Sequence, residues 1–272
     1  MTTITPDDAI GAGMAPTPAP ASLQQVRRLY VTEMKLLLRE TQAAIFVFAF
    51  PVITVLVLGG VFGTEADEPG FEFVNPSHFY VSAYFGVMLA AIGLIMVPAH
   101  VASYRERGVL RRFETAGFPR WAFFAVQFLT GITMAILGSI TLVITALLSY
   151  GIPTLEDPVR VVLGLVLGTL AFISFGVALG SLLPTNRAAQ SLGLTLFFPM
   201  FLLAGGGPPP QVLSDVMRSI ATWLPLTHVI RASQEPWLGL GTGTNHLLTV
   251  VGILVVSTLV WMLRSAHVSR SA

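Results

Sequence analysis

The sequence predicts an all-α polytopic membrane protein, and three observations carry that reading. Only 11% of the 272 residues are charged while 54% are hydrophobic, and the mean hydropathy is +0.76. A soluble domain carries about 25% charged residues, so this chain lacks the polar side chains to cover a water-facing surface. Six apolar runs are long enough, at roughly 17–25 residues each, to cross a bilayer as helices. Finally, no Asp, Glu, Lys or Arg interrupts the middle of any run, and the basic residues concentrate in alternate segments between them.

The elements follow in order. Residues 1–21, rich in Pro, Ala, Thr and Gly, have no apolar periodicity and read as a disordered cytoplasmic tail. No apolar core precedes Ala43, so no cleavable signal peptide is expected. Residues 22–40 place Leu23, Val26, Tyr30, Met34 and Leu37 at steps of three and four, with Arg27, Arg28, Glu33 and Lys35 off that stripe. This predicts an amphipathic interfacial helix on the cytoplasmic membrane face, opened by a Ser22–Gln25 capping box. The alternative is a cytoplasmic helix with a packed face. A transmembrane domain over 41–264 then holds six spans, at about 43–62, 79–101, 122–150, 159–183, 188–204 and 247–263. The third is longer than a bilayer needs and is expected to tilt or reach into the interface. Pro51 and Pro199 are expected to kink the first and fifth spans. Residues 265–272 form a second cytoplasmic tail.

Orientation comes from the basic residues. The N-terminal segment, the second and fourth loops and the C-terminus hold Arg27, Arg28, Lys35, Arg39, Arg105, Arg107, Arg111, Arg112, Arg120, Arg187, Arg264 and Arg270. Only Arg160, Arg218 and Arg231 fall elsewhere, and the first loop carries Glu65, Asp67, Glu68 and Glu72 with no basic residue. The positive-inside rule then sets both termini in the cytoplasm of a cell (plasma or inner) membrane. Between spans five and six, Gly205 to Pro210 cannot continue a helix. The spacing of Val212, Val216, Ile220, Trp223 and Leu224 then predicts a short apolar helix, too brief to cross. An outer re-entrant or interfacial hairpin is expected there.

Several chemistries are excluded. The chain has no cysteine, hence no disulfide or thiolate site. It has no His-Glu-x-x-His, no Gly-x-Ser-x-Gly, and no phosphate-cradling Gly-Lys-Ser/Thr, its one lysine being Lys35 between Met34 and Leu36. His78, His100, His228, His246 and His267 sit near or beyond span ends without ligand spacing. No catalytic residue, metal or cofactor is therefore expected on this chain, no ATPase site, and no nucleic-acid partner. Polar groups within spans, such as Thr54, Gln127, Ser139 and Thr195, are uncharged. Energy for uphill transport would then enter from outside the membrane.

The charge-rich insert from Arg105 to Gly117 sits at a membrane surface, between spans two and three. It reads as a cytoplasmic coupling helix, the alternative being that its arginines only fix topology and touch lipid phosphate. Here the residues resemble a known family. Glu106-Arg-Gly-Val-Leu110 followed by Arg112-Phe113 and Pro119 is similar to the cytoplasmic loop of the ABC-2 type permeases, membrane subunits of ATP-binding-cassette exporters of the drug and lipid efflux type. Leu203-Ala-Gly205, the Pro-rich break, Leu213 and Trp223 to Arg231 are similar to that family's outer hairpin. The resemblance covers roughly residues 22–264. Two departures stand out: Val109 replaces a frequent Thr, and the outer break is more interrupted than usual.

The resemblance implies a permease that moves hydrophobic or amphipathic compounds, drugs or lipids, out of the cytoplasm or inner leaflet. It implies two copies of an ABC ATPase subunit, which bind the ATP and Mg, and a second permease copy forming a homo- or heterodimer. Arg105, Glu106, Gly108, Val109, Leu110, Arg111, Arg112 and Phe113 would couple to the ATPase. Tyr84, Phe85, Met88, Phe197, Phe198, Met200 and Phe201 would line a translocation path between copies. An exporter of polysaccharide or lipid-linked glycan is the alternative within the family; a non-transporting scaffold or sensor bound to an ATPase is the alternative from another class. Gly164-x-x-x-Gly168 and Gly176-x-x-x-Gly180 are expected to allow close helix packing within one chain.

Overall fold

A computed structural model describes residues 23–63, 71, 74–109 and 120–270. The expected tail, Ser22, the acidic residues of the first loop and residues 110–119 of the coupling insert lie outside the described residues. All described secondary structure is helical. The helices are α1 (Leu23–Leu37), α2 (Ala44–Phe62), α3 (Pro76–Glu106), α4 (Arg120–Ser149), α5 (Pro158–Leu182), α6 (Asn186–Leu203), α7 (Asp215–Ala221), α8 (Pro225–Leu238) and α9 (Thr244–Arg270).

Five of these helices are long and apolar enough to cross a membrane: α2, α3, α4, α5 and α9. The expected fifth span, 188–204, corresponds to α6, whose 18 residues carry Asn186, Arg187 and Gln190 near its start. That polar first turn dilutes an otherwise apolar helix, so length and composition support five spans and not six. Two other boundaries move outward. The second span extends to Glu106 because its last turns are held by partners on α1 and on the α5–α6 turn. The last helix runs through Arg270, into the segment read as a tail.

α3 is the hub. In its most apolar stretch 94% of the residues are buried, against 22% for α2 and 11% for α9. The outer helices turn apolar side chains away from the protein: Val57, Val61, Leu147, Leu148, Val159, Val256 and Leu263 are all more than half exposed. A continuous apolar exterior of this kind suits lipid, not water.

Two prolines inside spans, Pro51 and Pro98, each follow a widened turn. π-helical turns occupy Ala44–Ala49, ahead of Pro51, and Ile92–Met96, ahead of Pro98. A proline ring collides with the carbonyl four residues back, and an extra residue in the turn relieves the collision. Beside Pro51, Thr54 Oγ1 donates to the Phe50 carbonyl at 2.5 Å. Helix α6 runs continuously through Pro199.

Glycine sets the closest helix contacts. A Cβ on Gly176 would stand 2.3 Å from the Gly93 carbonyl oxygen, and one on Gly180 2.7 Å from that of Pro98, so this pair seats α5 on α3. A Cβ on Gly164 would stand 2.6 Å from the Ala232 carbonyl oxygen, and one on Gly168 2.7 Å from Val229 Cγ1, so the other pair seats α5 on α8. Both four-residue glycine spacings therefore serve packing within the chain, as the sequence leads one to expect.

Helix α8 is not foreseen by the sequence reading. It lies between α3 and α5, with Gln234 Nε2 donating to the Phe79 carbonyl at 3.0 Å and Trp237 Nε1 to the Pro153 carbonyl at 3.2 Å. Pro225 looks like a breaker but occupies the first turn of α8, where its missing N–H costs nothing.

Candidate functional site

At one end of the bundle, the last two residues of α3 hold the turn between α5 and α6. Arg105 Nη1 donates to the carbonyls of Ser181 and, at 3.1 Å, Leu183. These carbonyls sit at the C-terminus of α5, where the helix leaves acceptors unpaired and carries partial negative charge. Glu106 Oε2 accepts from the backbone N–H of Asn186 at 2.9 Å, at the positive first turn of α6. Cation to C-terminus and anion to N-terminus together make a clasp with matched polarity. Thr185 adds the local cap, accepting from the Ala188 N–H at 3.2 Å.

Beyond the clasp the chain turns. Gly108 has φ +66, a left-handed conformation that suits glycine, and nothing would meet a Cβ there within 4 Å. Val109 is half-buried. Of the eight expected coupling residues, Arg105, Glu106, Gly108 and Val109 are thus located, the first two as the end of α3 itself. Leu110, Arg111, Arg112 and Phe113 lie outside the described residues. Replacing Glu106 by alanine strips α6 of a charged cap. A loss of about 1 kcal/mol is expected, read as a lower melting temperature, with Glu106→Gln recovering part of it.

One turn earlier, α1 is pinned to the same end. Glu33 is fully buried, with His100 Nε2 2.5 Å from its Oε2 and the Tyr104 hydroxyl donating to its Oε1. Glu40 Oε2 lies 3.8 Å from His100 Nδ1, and the Tyr30 and Thr133 hydroxyls of α1 and α4 meet at 2.8 Å. Sequence reading sets Glu33 off the apolar stripe, and the structure corrects this. Glu33 stands seven residues after Val26 and four before Leu37, on the packed face. The free face of α1 is mixed, exposing Gln24, Arg27, Arg28, Thr32 and Lys35 together with Val31 and Leu36.

The expected path residues divide. Tyr84, Phe85, Met88, Phe197, Met200 and Phe201 are buried within this chain, while Phe198 is 43% exposed. Phe197, Phe198 and Phe201 form one aromatic seam, while Phe85 meets Trp237 of α8: Phe197 and Phe201 stack at 6.0 Å and 12°, and both meet Phe50 of α2, at 5.8 and 5.1 Å. Phe46 and Phe50 complete the seam and were not identified from sequence, since nothing in the first span marks which face meets α6. Tyr84 is a tie to the Gly-rich turn: its hydroxyl donates to the Gly206 carbonyl at 2.6 Å, and that of Tyr80, one turn earlier, to Gly207 at 2.9 Å. Gly205, at φ +96, starts that turn.

At the opposite end, a cavity of about 510 Å³ opens among α6, α7, α8 and α9. Arg218, Arg231 and Glu235 supply its charged lining, with His246 beside them, and Leu203, Pro210 and Ala221 its apolar walls. Burial alone would raise the Glu235 carboxyl. The hydrogen bond and charge of His246, joined by the Arg231 charge, outweigh burial and hold it below its usual range.

Comparison with known proteins fits this architecture. The family model described as ABC-2 type transporter matches residues 24–236. A protein of Bacillus subtilis (strain 168), YvfS, named as a candidate transport permease, is 23% identical over 245 residues, covering 88% of this chain and 95% of the relative.

Proposed function

The chain belongs to the ABC-2 type transporter family, and from that premise we propose that it is the permease subunit of an exporter that carries hydrophobic or amphipathic compounds, drugs or lipids, outward. Membership implies an ABC ATPase partner in general. On this reading two copies of that ATPase bind the ATP and Mg and dock at the α3–α4 connection, and a second permease copy completes the transport unit.

The clasp at Arg105 and Glu106 is the observation that carries the proposal. A force applied just beyond Glu106 reaches α6 through the Glu106–Asn186 contact, the end of α5 through Arg105, and α1 through Glu33, His100 and Tyr104. Helix α6 carries the aromatic seam and ends in the Gly-rich turn bonded to Tyr80 and Tyr84. It serves as the fifth of six spans: at ~1.5 Å per residue its 18 residues reach about 27 Å, near the ~30 Å of a hydrocarbon core. Its Asn186, Arg187 and Gln190 then lie at the cytoplasmic headgroups, both termini face the cytoplasm, and α7 with α8 forms the outer hairpin.

Cargo chemistry is read from the α2–α6 face, where Ile53, Val57, Phe198 and Leu202 are exposed and uncharged. Such a face favours lipophilic cargo. The test is reconstitution with an ATPase encoded beside this chain, with ATP turnover measured against lipophilic candidates. Turnover indifferent to every lipophilic compound, in a pair that does assemble, would overturn the cargo class.

Docking has its own test. Glu106 is left native because it caps α6. Arg112→Glu with Phe113→Ala is expected to cut ATPase co-purification by about tenfold or more, as loss of an interface anchor does, with the amount of permease in the membrane unchanged. Undiminished co-purification would count against docking at this insert.

A further inference from the structure

We propose that His228 and His246 form a proton-sensing site that fastens α8 to α9, at the end of the bundle that the proposed orientation puts outside, and that an acidic exterior unfastens it. The inference needs neither the ATPase nor the cargo assigned above.

The geometry is specific about protons. The two rings face each other through Nδ1 atoms 3.0 Å apart. His228 Nε2 lies 2.9 Å from the Thr222 carbonyl. A carbonyl only accepts, so that nitrogen carries hydrogen, and the Nδ1 of a neutral His228 is a lone pair. The hydrogen between the rings then belongs to His246 Nδ1. A second proton on His228 Nδ1 would set N–H against N–H across the same gap, with added charge. The contact therefore holds one proton and fails with two.

The surroundings offer no relief for that second charge. On α8, Glu235 lies 3.3 Å from His246 Nε2 and 3.9 Å from Arg231 Nη1, so its carboxylate is directed to those two groups. Arg231 itself, on the same helix, and Arg218 of α7 line the adjoining cavity and are cationic. On α9 the facing titratable group is His246. Burial lowers the His228 pKa below its ordinary 6.5; the hydrogen bond to the Thr222 carbonyl opposes it, and the neighbouring His246 adds a smaller lowering effect. The sign follows. A depressed pKa means that the neutral ring's contribution is fully present above 6.5 and is lost as pH falls through the lower folded value.

Position gives the site its consequence. Thr222 ends α7, His228 lies in the first turn of α8, and His246 lies in the first turn of α9. Three helix ends thus meet at one pair of rings beside the 510 Å³ cavity. Losing the bond frees the start of α9, the least covered span, and widens that cavity.

The chain has no cysteine of its own, so Ser219→Cys on α7 and Asn245→Cys on α9 introduce only two labelling sites, both at exposed positions. The full spin-labelled chain is placed in lipid nanodiscs, and the inter-label distance is measured by pulsed electron resonance near about pH 7.5 and about pH 5.0, either side of the histidine range and above that of Glu235. A short, narrow distribution at the higher pH that becomes predominantly longer at the lower one is expected. In His228→Gln, whose amide can donate to Thr222 and accept from His246 without charging, the short distance should persist at both. No change in the unmutated background would overturn the proposal; so would a change that survives His228→Gln. A measurement without a variant guards against misfolding. With ¹⁵N-labelled histidine, His228 is expected as the Nε2–H tautomer near about pH 7.5, and finding Nδ1–H there would also overturn it.

Discussion

Glu33→Ala is expected to release α1 from the bundle. The carboxylate is fully buried and takes contacts from His100 and Tyr104 of α3. Removing one partner of a buried, hydrogen-bonded ionic group leaves the others desolvated and unpaired, which costs about 3 kcal/mol or more. The loss should appear as a lower melting temperature in detergent and as new protease cuts between α1 and α2. Glu33→Gln keeps an acceptor and should recover part of the loss; Tyr104→Phe removes one contact and should cost only about 1 kcal/mol. If Glu33→Ala melts like the unmutated chain, α1 is not held by this cluster. Because Arg105 and Glu106 directly follow Tyr104 in the chain, detachment of α1 should also weaken any force passed from the α3–α4 connection.

Gly176→Val should be more damaging still. A Cβ there would stand 2.3 Å from the Gly93 carbonyl oxygen and 3.0 Å from Val97 Cβ. The first is backbone in the most buried helix and cannot swing aside. Overpacking a rigid contact costs about 1–3 kcal/mol and occasionally more, and a valine adds two methyls beyond the Cβ. The variant is expected to fail to accumulate in membranes, and Gly93→Val likewise, since its Cβ would lie 2.4 Å from the Phe172 carbonyl oxygen. Gly252 is the control: nothing would meet a Cβ there within 4 Å, so Gly252→Ala should be neutral or stabilising by up to about 1 kcal/mol through helix propensity. Equal accumulation of Gly176→Val and Gly252→Ala would contradict the α3–α5 contact.

Much of this architecture is legible in the chain itself. Apolar run length finds α2, α3, α4, α5 and α9, because a spanning helix must be long and uncharged. The glycine pairs on α5 announce close packing, because only glycine lets backbones approach so nearly. The family resemblance rests on motifs whose order the fold preserves. What escapes is whatever depends on a partner distant in sequence. Glu33 looks like a surface acid until His100 and Tyr104, roughly seventy positions away, are brought against it. Glu106 looks like a rim charge for docking, yet its contact is the backbone of Asn186, which no side-chain pattern can reveal. Helix α8 escapes because Pro225 and Pro236 punctuate it, and the cavity beside it because its lining comes from four separate elements. The span count differs for a graded reason: α6 is apolar over most of its length but polar where it begins.

The contact between α3 and α6 has a mechanical character of its own. Pro98 has no N–H to return to the Leu94 carbonyl, the acceptor four residues before it, and Gly193 of α6 lies so close that its missing Cβ would stand 2.1 Å from that oxygen. Bare backbone thus meets bare backbone where most helix pairs mesh knobs with grooves. At that height no side chain separates the two helices, so any residue larger than glycine at 193 would force α6 away from α3.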